Sequence, residues 1–186
     1  VSDPFATATE LAQFIGASTP TDLGRMQMLL GIASAEIRGC AGQVLSPVVD
    51  DVVVLQPSWT QTLFLPERPV TAVTTVTVNA ATYLDYRFTA SGHLIQGADM
   101  ALGSAMVWSQ GATVTYSHGY AESTEDYKII KGICLEAASR AYTMNERSAS
   151  EVLGATILES AGYAPEVFLT EGEKMRLSAY RPVLVG

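Results

Sequence analysis

The sequence predicts an α+β protein, a helical bundle with an inserted small antiparallel β-sandwich or barrel. Three observations predict it. Apolar side chains recur at steps of three and four across residues 23–40. From Asp50 the repeat shortens to two and holds to about Tyr120, after which the helical repeat returns. Residues 1–49 and 121–186 therefore read as the two parts of one bundle, the second with an extended loop and tail. Residues 50–120 read as the inserted β unit.

The first helix is short. Thr7-Ala8-Thr9-Glu10 fits a capping box, in which threonine and glutamate satisfy free backbone amides at a helix start. Leu11, Phe14 and Ile15 form its expected apolar face, and Gly16 is a natural stop. Thr21 or Asp22 then caps a second helix whose stripe is Leu23, Met26, Leu30, Ala33, Ile37 and Cys40. Gly24, Gly31 and Gly39 lie off that stripe. Each costs roughly 1 kcal/mol against alanine inside a helix, so they predict close approach by a neighbouring backbone or relief of crowding within the fold.

The β unit is announced by "DVVVLQP", "TLFLP", "VTTVTV", "YLDYRF", "HLIQ" and "ATVTYSH", short runs rich in Val, Thr, Tyr and Leu. Between them stand Pro57, "PERP", "NAAT", "SGH" and "ALGSA", all credible turns. In "VNAATYL" the pair Ala80-Ala81 occupies the place of a turn glycine, which predicts a longer loop there. The block ends at His118-Gly119-Tyr120, where Gly119 allows a bend that other residues resist.

Helical signals then resume. Ser123 or Thr124 caps, and Glu125 and Asp126 fall in the first turn, where the helix dipole favours acids. Ile129, Ile130, Ile133, Ala137, Ala138, Ala141 and Tyr142 give a broad apolar face, with the alanines small enough for close helix packing. "GATILESAG" fits neither period and reads as irregular or extended. Thr170-Glu171-Gly172-Glu173 is a second capping box, and the last helix must stop before Pro182.

Composition limits the function classes. The chain has 186 residues, is 48% hydrophobic and has a formal net charge of -8. That balance disfavours a protein that grips nucleic acid by neutralising phosphates, though an acidic wall past which DNA slides stays compatible. No apolar run is long enough to span a bilayer, and "VSDPFATATE" lacks the layout of a signal peptide. Cys40 and Cys134, the two cysteines, sit in predicted helices among small and apolar residues. They read as free thiols, with a bond between the two helices left open.

Candidate chemistry is sparse. His93 and His118 are lone histidines at turns, without the partners that a zinc site needs. Ser117, His118 and Asp126 spell a triad on paper, but adjacent strand residues point to opposite faces and no nucleophile elbow is present. Asp50-Asp51 and Glu125-Asp126 are explained by turn and capping chemistry. "GADMALG" lacks the glycine spacing of a phosphate cradle. Trp59 and Trp108 fall in the β block, where core packing is the default. No catalytic residue, cofactor site or metal site is predicted, and the chain reads as a protein that is not an enzyme.

The order of these pieces is itself informative. "SAEIRGCAGQ" closes a helix pair; "LPERPVTAVTTVTVN", "YLDYRF" and "TVTYSHGY" follow in the β block. "DYKIIKGICLEAASRAY", "SEVLGATILES" and "LTEGEKMRLSAYR" complete the chain. From about Phe5 to Pro182 this resembles the head-to-tail connector (adaptor) proteins of long-tailed double-stranded DNA bacteriophages, particularly the larger forms from phages of actinobacteria.

The resemblance implies a structural virion protein, assembled in the host bacterial cytoplasm and located in the neck. It implies a dodecameric ring beneath the portal protein that extends the DNA channel and meets the next neck, stopper or tail protein. Double-stranded DNA passes through the lumen without sequence-specific binding, and no membrane partner is implied. The C-terminal tail, Tyr180, Arg181, Pro182, Val183, Leu184 and Val185, is expected to dock on the portal or a neighbour, with Arg181 meeting a partner carboxylate. Two other readings are another phage neck or tail-completion protein, and a small ligand- or carbohydrate-binding module using Trp59 or Trp108. Exposure of both indoles on one concave face would favour the module.

Overall fold

A computed structural model describes residues 3–16, 22–97, 107–152 and 167–182, with the backbone alone for 144–152. Among the described residues it is an α+β structure of four helices and antiparallel sheets. The chain divides into two compact units, one combining Val1–Gly42 with Glu122–Arg181, the other built on Gln43–Ala121. "ALGSA", "GATILESAG" and Val183, Leu184 and Val185 lie outside the described residues.

In the helical unit, α1 (Ala8–Phe14) starts at the capping box read from the sequence: the Thr7 hydroxyl accepts from the Glu10 amide and the Glu10 carboxylate accepts from Thr7. Its buried side is Ala8, Leu11 and Ala12. Phe14 falls on the other flank of Leu11 and is 51% exposed, a correction to the expected apolar face. Asp22 caps α2 (Leu23–Ala41), accepting from the Arg25 amide at 3.0 Å. Gly42 ends it in the left-handed conformation, its amide returning to the Arg38 carbonyl at 2.8 Å.

The Thr124 hydroxyl accepts from the Tyr127 amide at 3.3 Å, where α3 (Glu125–Val152) begins. α2 packs along α3. Met26, Leu29, Leu30, Ala33 and Ile37 on one helix, and Ile130, Ile133, Ala137 and Ala138 on the other, are buried. Leu23, expected on this stripe, is exposed in the first turn of α2. Ser34 is buried among these side chains, yet satisfied: its hydroxyl accepts from the Phe5 amide at 3.0 Å and lies 3.4 Å from the Cys134 sulfur. A Cβ added at Gly31 or Gly39 would meet nothing within 4 Å. The close backbone neighbour those glycines predicted is therefore not part of this chain's described residues. α4 (Glu171–Ser178) opens with the second capping box, complete in both directions.

In the β unit, β1 (Val48–Leu55), β3 (Val70–Val78), β4 (Ala81–Thr82) and β7 (Ala112–His118) form a four-stranded sheet in the order β1-β7-β3-β4. β2 (Thr62–Phe64), β5 (Tyr86–Phe88) and β6 (His93–Gln96) form a second sheet in the order β2-β6-β5. β7 alternates buried and half-buried residues along its whole length, as a period-two pattern requires. Leu63 and Leu94 from one sheet share a core with Val76, Val114 and Tyr116 from the other, and Trp108 joins them.

The β3–β4 hairpin corrects one expectation. Val78 pairs with Ala81, so the connection is tight and not a longer loop. Asn79 and Ala80 both take positive φ, 51° and 62°, as a two-residue type I′ turn requires. Asparagine tolerates that conformation, whereas alanine pays a steric penalty of about 1–2 kcal/mol. Ala80→Gly is thus expected to raise the stability of the β unit by roughly 0.5–1 kcal/mol, after allowance for the extra flexibility of glycine in the unfolded chain. A urea midpoint that stays put or falls would contradict this.

Gly119 is the corner where β7 ends. Its φ is 95°, and a Cβ there would stand 2.2 Å from the Ser46 carbonyl oxygen. The Gly119 amide donates to the Pro69 carbonyl at 3.0 Å and the Tyr120 amide to that of Leu45 at 3.0 Å, so three segments meet at one turn. Pro69 itself follows a cis peptide bond in the "LPERPV" turn.

Candidate functional site

The histidines, and the serine and acidic residues that sequence sets beside His118, are in structural use; "GADMALG" lies, but for Gly97, outside the described residues. His93 lies at the start of β6, with Nδ1 3.1 Å from the Ser91 hydroxyl and its ring edge-on to Phe64. His118 is buried at the end of β7, its Nε2 3.3 Å from Asp51 Oδ2. The other Asp51 oxygen accepts from the Val52 amide at 2.9 Å. Asp50 sits at a β-bulge with φ of 52°, and its carboxylate accepts from the Thr74 hydroxyl at 2.7 Å. The Ser117 hydroxyl accepts from the Asp50 amide, and Asp126 is engaged by Tyr180. Ser117, His118 and Asp126 thus have separate structural partners. Among the described residues no group of three or more His, Cys, Asp and Glu is placed to hold a metal ion.

Two buried groups are further from reactivity than their types suggest. Burial pushes the Tyr116 phenol up to about 12, so it stays neutral at ordinary pH. Burial also pushes up the Cys134 thiol, which leaves little of the nucleophilic thiolate. Cys40 and Cys134 are both free, with Cys40 half-exposed at the end of α2.

The two indoles part company. Trp108 is 1% exposed and its Nε1 donates to the Gln61 carbonyl at 3.1 Å, whereas Trp59 is 70% exposed. They do not form the shared concave platform that a ligand-binding module would present.

What remains is the root of the C-terminal tail, in the helical unit. α4 is fixed to α3 by a fork: Arg140 Nη1 and Nη2 donate to Glu173 Oε1 and Oε2 at 2.9 and 2.8 Å. Arg140 Nη2 also reaches the Phe168 carbonyl at 3.1 Å. Glu173 is buried and in addition accepts from the Thr170 amide and hydroxyl at 2.7 and 2.8 Å. Burial acts to raise the Glu173 pKa, but the bonds from Arg140 and Thr170 outweigh it and hold the carboxyl below its usual range.

Beyond α4 the Tyr180 ring is buried and its hydroxyl donates to Asp126 Oδ1 at 3.1 Å. Arg181 Nε donates to the Cys40 carbonyl at 2.9 Å. Tyr180 and Arg181 therefore brace the tail against α3 and α2, and Pro182 is half-buried. Val183, Leu184 and Val185 follow outside the described residues. Sequence reasoning found Glu173 as a cap but missed Arg140, 33 positions away, because a long-range ion pair leaves no local period.

No protein-family model and no curated protein matches the chain. Among solved structures it is similar to a chain of the virion of a native gene transfer agent particle. That match has 17% identity and a TM-score of 0.54, and covers 100% of this chain and 95% of the other. It is likewise similar to a chain of the neck of an empty gene transfer agent particle computed with C6 symmetry. There the identity is 17% and the TM-score 0.53, over 100% and 95% of the two chains. The likeness is one of fold, and it runs through both units. No helix of the described residues is long and apolar enough to cross a membrane.

Proposed function

We propose that the protein is a structural component of a phage-like virion neck, and within the neck the head-to-tail adaptor. Copies form a ring, taken as a dodecamer, beneath the portal, extend the DNA channel and offer a platform to the next neck, stopper or tail protein. The observation that supports this best is the fold likeness to a neck chain over 100% of this chain and 95% of that one. That likeness spans helices and inserted sheets together. The acidic balance of -8 suits a lumen that repels the DNA backbone and lets it pass. Electron microscopy of the protein mixed with the portal of its own virion tests the reading; a complex without a ring at the portal's base would overturn the adaptor assignment.

The tail gives the second test. Because Arg181 is bonded to Cys40, a cut before it removes a contact internal to the helical unit. A cut after Pro182 leaves that contact in place. Deletion of residues 183–186 is expected to leave the thermal midpoint unchanged and to abolish association with the portal, as a chain end that orders on a partner surface should. Loss of thermal stability with portal association intact would assign the tail to the protein's own core.

A further inference from the structure

We propose that α4 is an acid-released clip: its folding and its docking on α3 depend on the one carboxylate of Glu173, and a proton there frees α4 and the root of the tail while α2 and α3 stay paired.

The two short helices of this unit are built alike. In α1 one oxygen of the Glu10 carboxylate accepts from the Thr7 amide and hydroxyl at 2.8 and 3.0 Å, and the other pairs with Lys131 of α3. In α4 the Glu173 carboxylate accepts from the Thr170 amide and hydroxyl and is forked by Arg140 of α3. Capping a helix start and fixing that helix to a neighbour are separate tasks, and here one side chain does both. Of the two, Glu173 is the deeper, with 2% of its side chain exposed against 35% for Glu10, so water screens its contacts less.

α4 has little else to keep it folded. It is eight residues long, and a helix that short is marginal in water by itself. It lies along α2, and within it the buried side chains are those of Glu173 and Leu177. Val167 and Leu169 before it and Tyr180 after it are buried too. Its other attachments are polar. Arg176 reaches Glu136 of α3 at 3.2 Å, both side chains being exposed. Tyr180 donates to Asp126 of α3, and Arg181 to the Cys40 carbonyl of α2. Lys174 pairs with Glu171 inside α4, and from α2 Glu36 and Cys40 act on Lys174.

A proton on Glu173 has no good place to go. Oε1 accepts from Arg140 Nη1, and Oε2 accepts from Arg140 Nη2 and from Thr170. The Thr170 hydroxyl also accepts from the Glu173 amide at 3.3 Å, so donors surround the carboxylate. A neutral carboxyl would turn one of its oxygens into a donor, stranding it in a buried position and removing the charge that Arg140 meets. The bonds from Arg140 and Thr170 hold the folded carboxyl below its usual range, so its contribution is present at neutral pH and is lost as pH falls through the folded value. The contact between α2 and α3 has no such group. Met26, Leu29, Leu30, Ala33 and Ile37 face Ile130, Ile133, Ala137 and Ala138 in the core, and burial keeps the Cys134 thiol neutral. Acid therefore acts on the clip and spares the pair beneath it. Because Tyr180 and Arg181 follow α4 directly, its release also takes the tail's root off Asp126 and Cys40.

Nuclear magnetic resonance of the wild-type chain, acidified in steps from neutral pH, tests this without any substitution. The α4 amide signals are expected to move to unfolded positions in step with titration of the Glu173 carboxyl carbon, while the Ile37 and Ile133 amides stay protected from exchange. A single midpoint for α2, α3 and α4 would overturn the clip. So would an α4 that keeps its folded signals after Glu173 has titrated. Glu173→Gln then removes the charge at neutral pH. Its α4 amides are expected to exchange within about tenfold of the rate of an unstructured chain, with Ile37 and Ile133 still protected. Wild-type protection of α4 in this variant would show that the carboxylate does not hold it. Loss of protection at Ile37 and Ile133 as well would make α4 inseparable from the bundle, and either result overturns the proposal.

Discussion

Replacing Gly119 with alanine is expected to destabilise the β unit by roughly 2–6 kcal/mol. Two penalties add. A φ of 95° is hostile to any residue with a Cβ, and the new methyl would sit 2.2 Å from the Ser46 carbonyl oxygen and 2.7 Å from its carbon. Neither neighbour is the free end of a side chain; both are backbone, and the chain there runs into Pro47. Gly97→Ala is the matching control. Its φ is 75°, but a Cβ would find nothing within 4 Å, so only the conformational penalty of about 1–2 kcal/mol applies. Urea unfolding of the two variants separates the effects. Equal losses in both would mean that the Gly119 corner relaxes freely and that the close approach to Ser46 is unimportant.

Arg140→Ala is expected to cost the helical unit roughly 3 kcal/mol, the lower end of the range for breaking a buried pair, because the Arg140 side chain is itself partly exposed. The loss comes chiefly from stranding the Glu173 carboxylate in a buried position. Glu173→Gln in the same background should restore part of the stability, since a neutral amide tolerates burial better. The pH response has a definite sign. A carboxyl whose folded pKa is lowered adds stability above its unfolded value, and loses that contribution as pH falls through the folded one. Glu173 behaves this way, as does Glu10, where burial is outweighed by its pairing with Lys131 and its capping bonds to Thr7. The wild-type helical unit should therefore weaken as pH drops below the reference value of 4.5. In Arg140→Ala the Glu173 share of that decline should shrink. An acid-unfolding profile identical in both would show that the fork adds nothing.

Much of this fold was written in local chemistry. Both capping boxes, the Asp22 cap and the bend at Gly119 depend on residues within a few positions of each other, and each is found where the sequence placed it. The switch from a period of three to four to a period of two marked the strands for the same reason. What escaped was set by partners distant in the chain. Phe14 looked like core because leucine-like spacing cannot say which flank of a two-turn helix meets its neighbours. The Asn79-Ala80 turn lacked its glycine, so the hairpin read as loose, although β3–β4 pairing holds alanine in a conformation it would not choose. Nothing in the sequence marked Arg140 on α3, because its partner Glu173 lies 33 positions away on α4. The tail was legible as a chain end released by Pro182, but the hold of Asp126 and Cys40 on its root was not.

The opposite placement of the two tryptophans makes the molecule its own optical probe. Both indoles belong to the β unit, and the helical unit has none. Fluorescence excited in the indole band therefore follows the sheets alone, while far-ultraviolet ellipticity is dominated by the helices. Trp108, sealed in the core, should shift to the red only when the sheets come apart. Trp59, facing water, should be quenched by dissolved iodide from the outset. Two colours of signal from one unlabelled sample then time the opening of each unit separately, so the Gly119 and Arg140 variants should be told apart by which signal moves first.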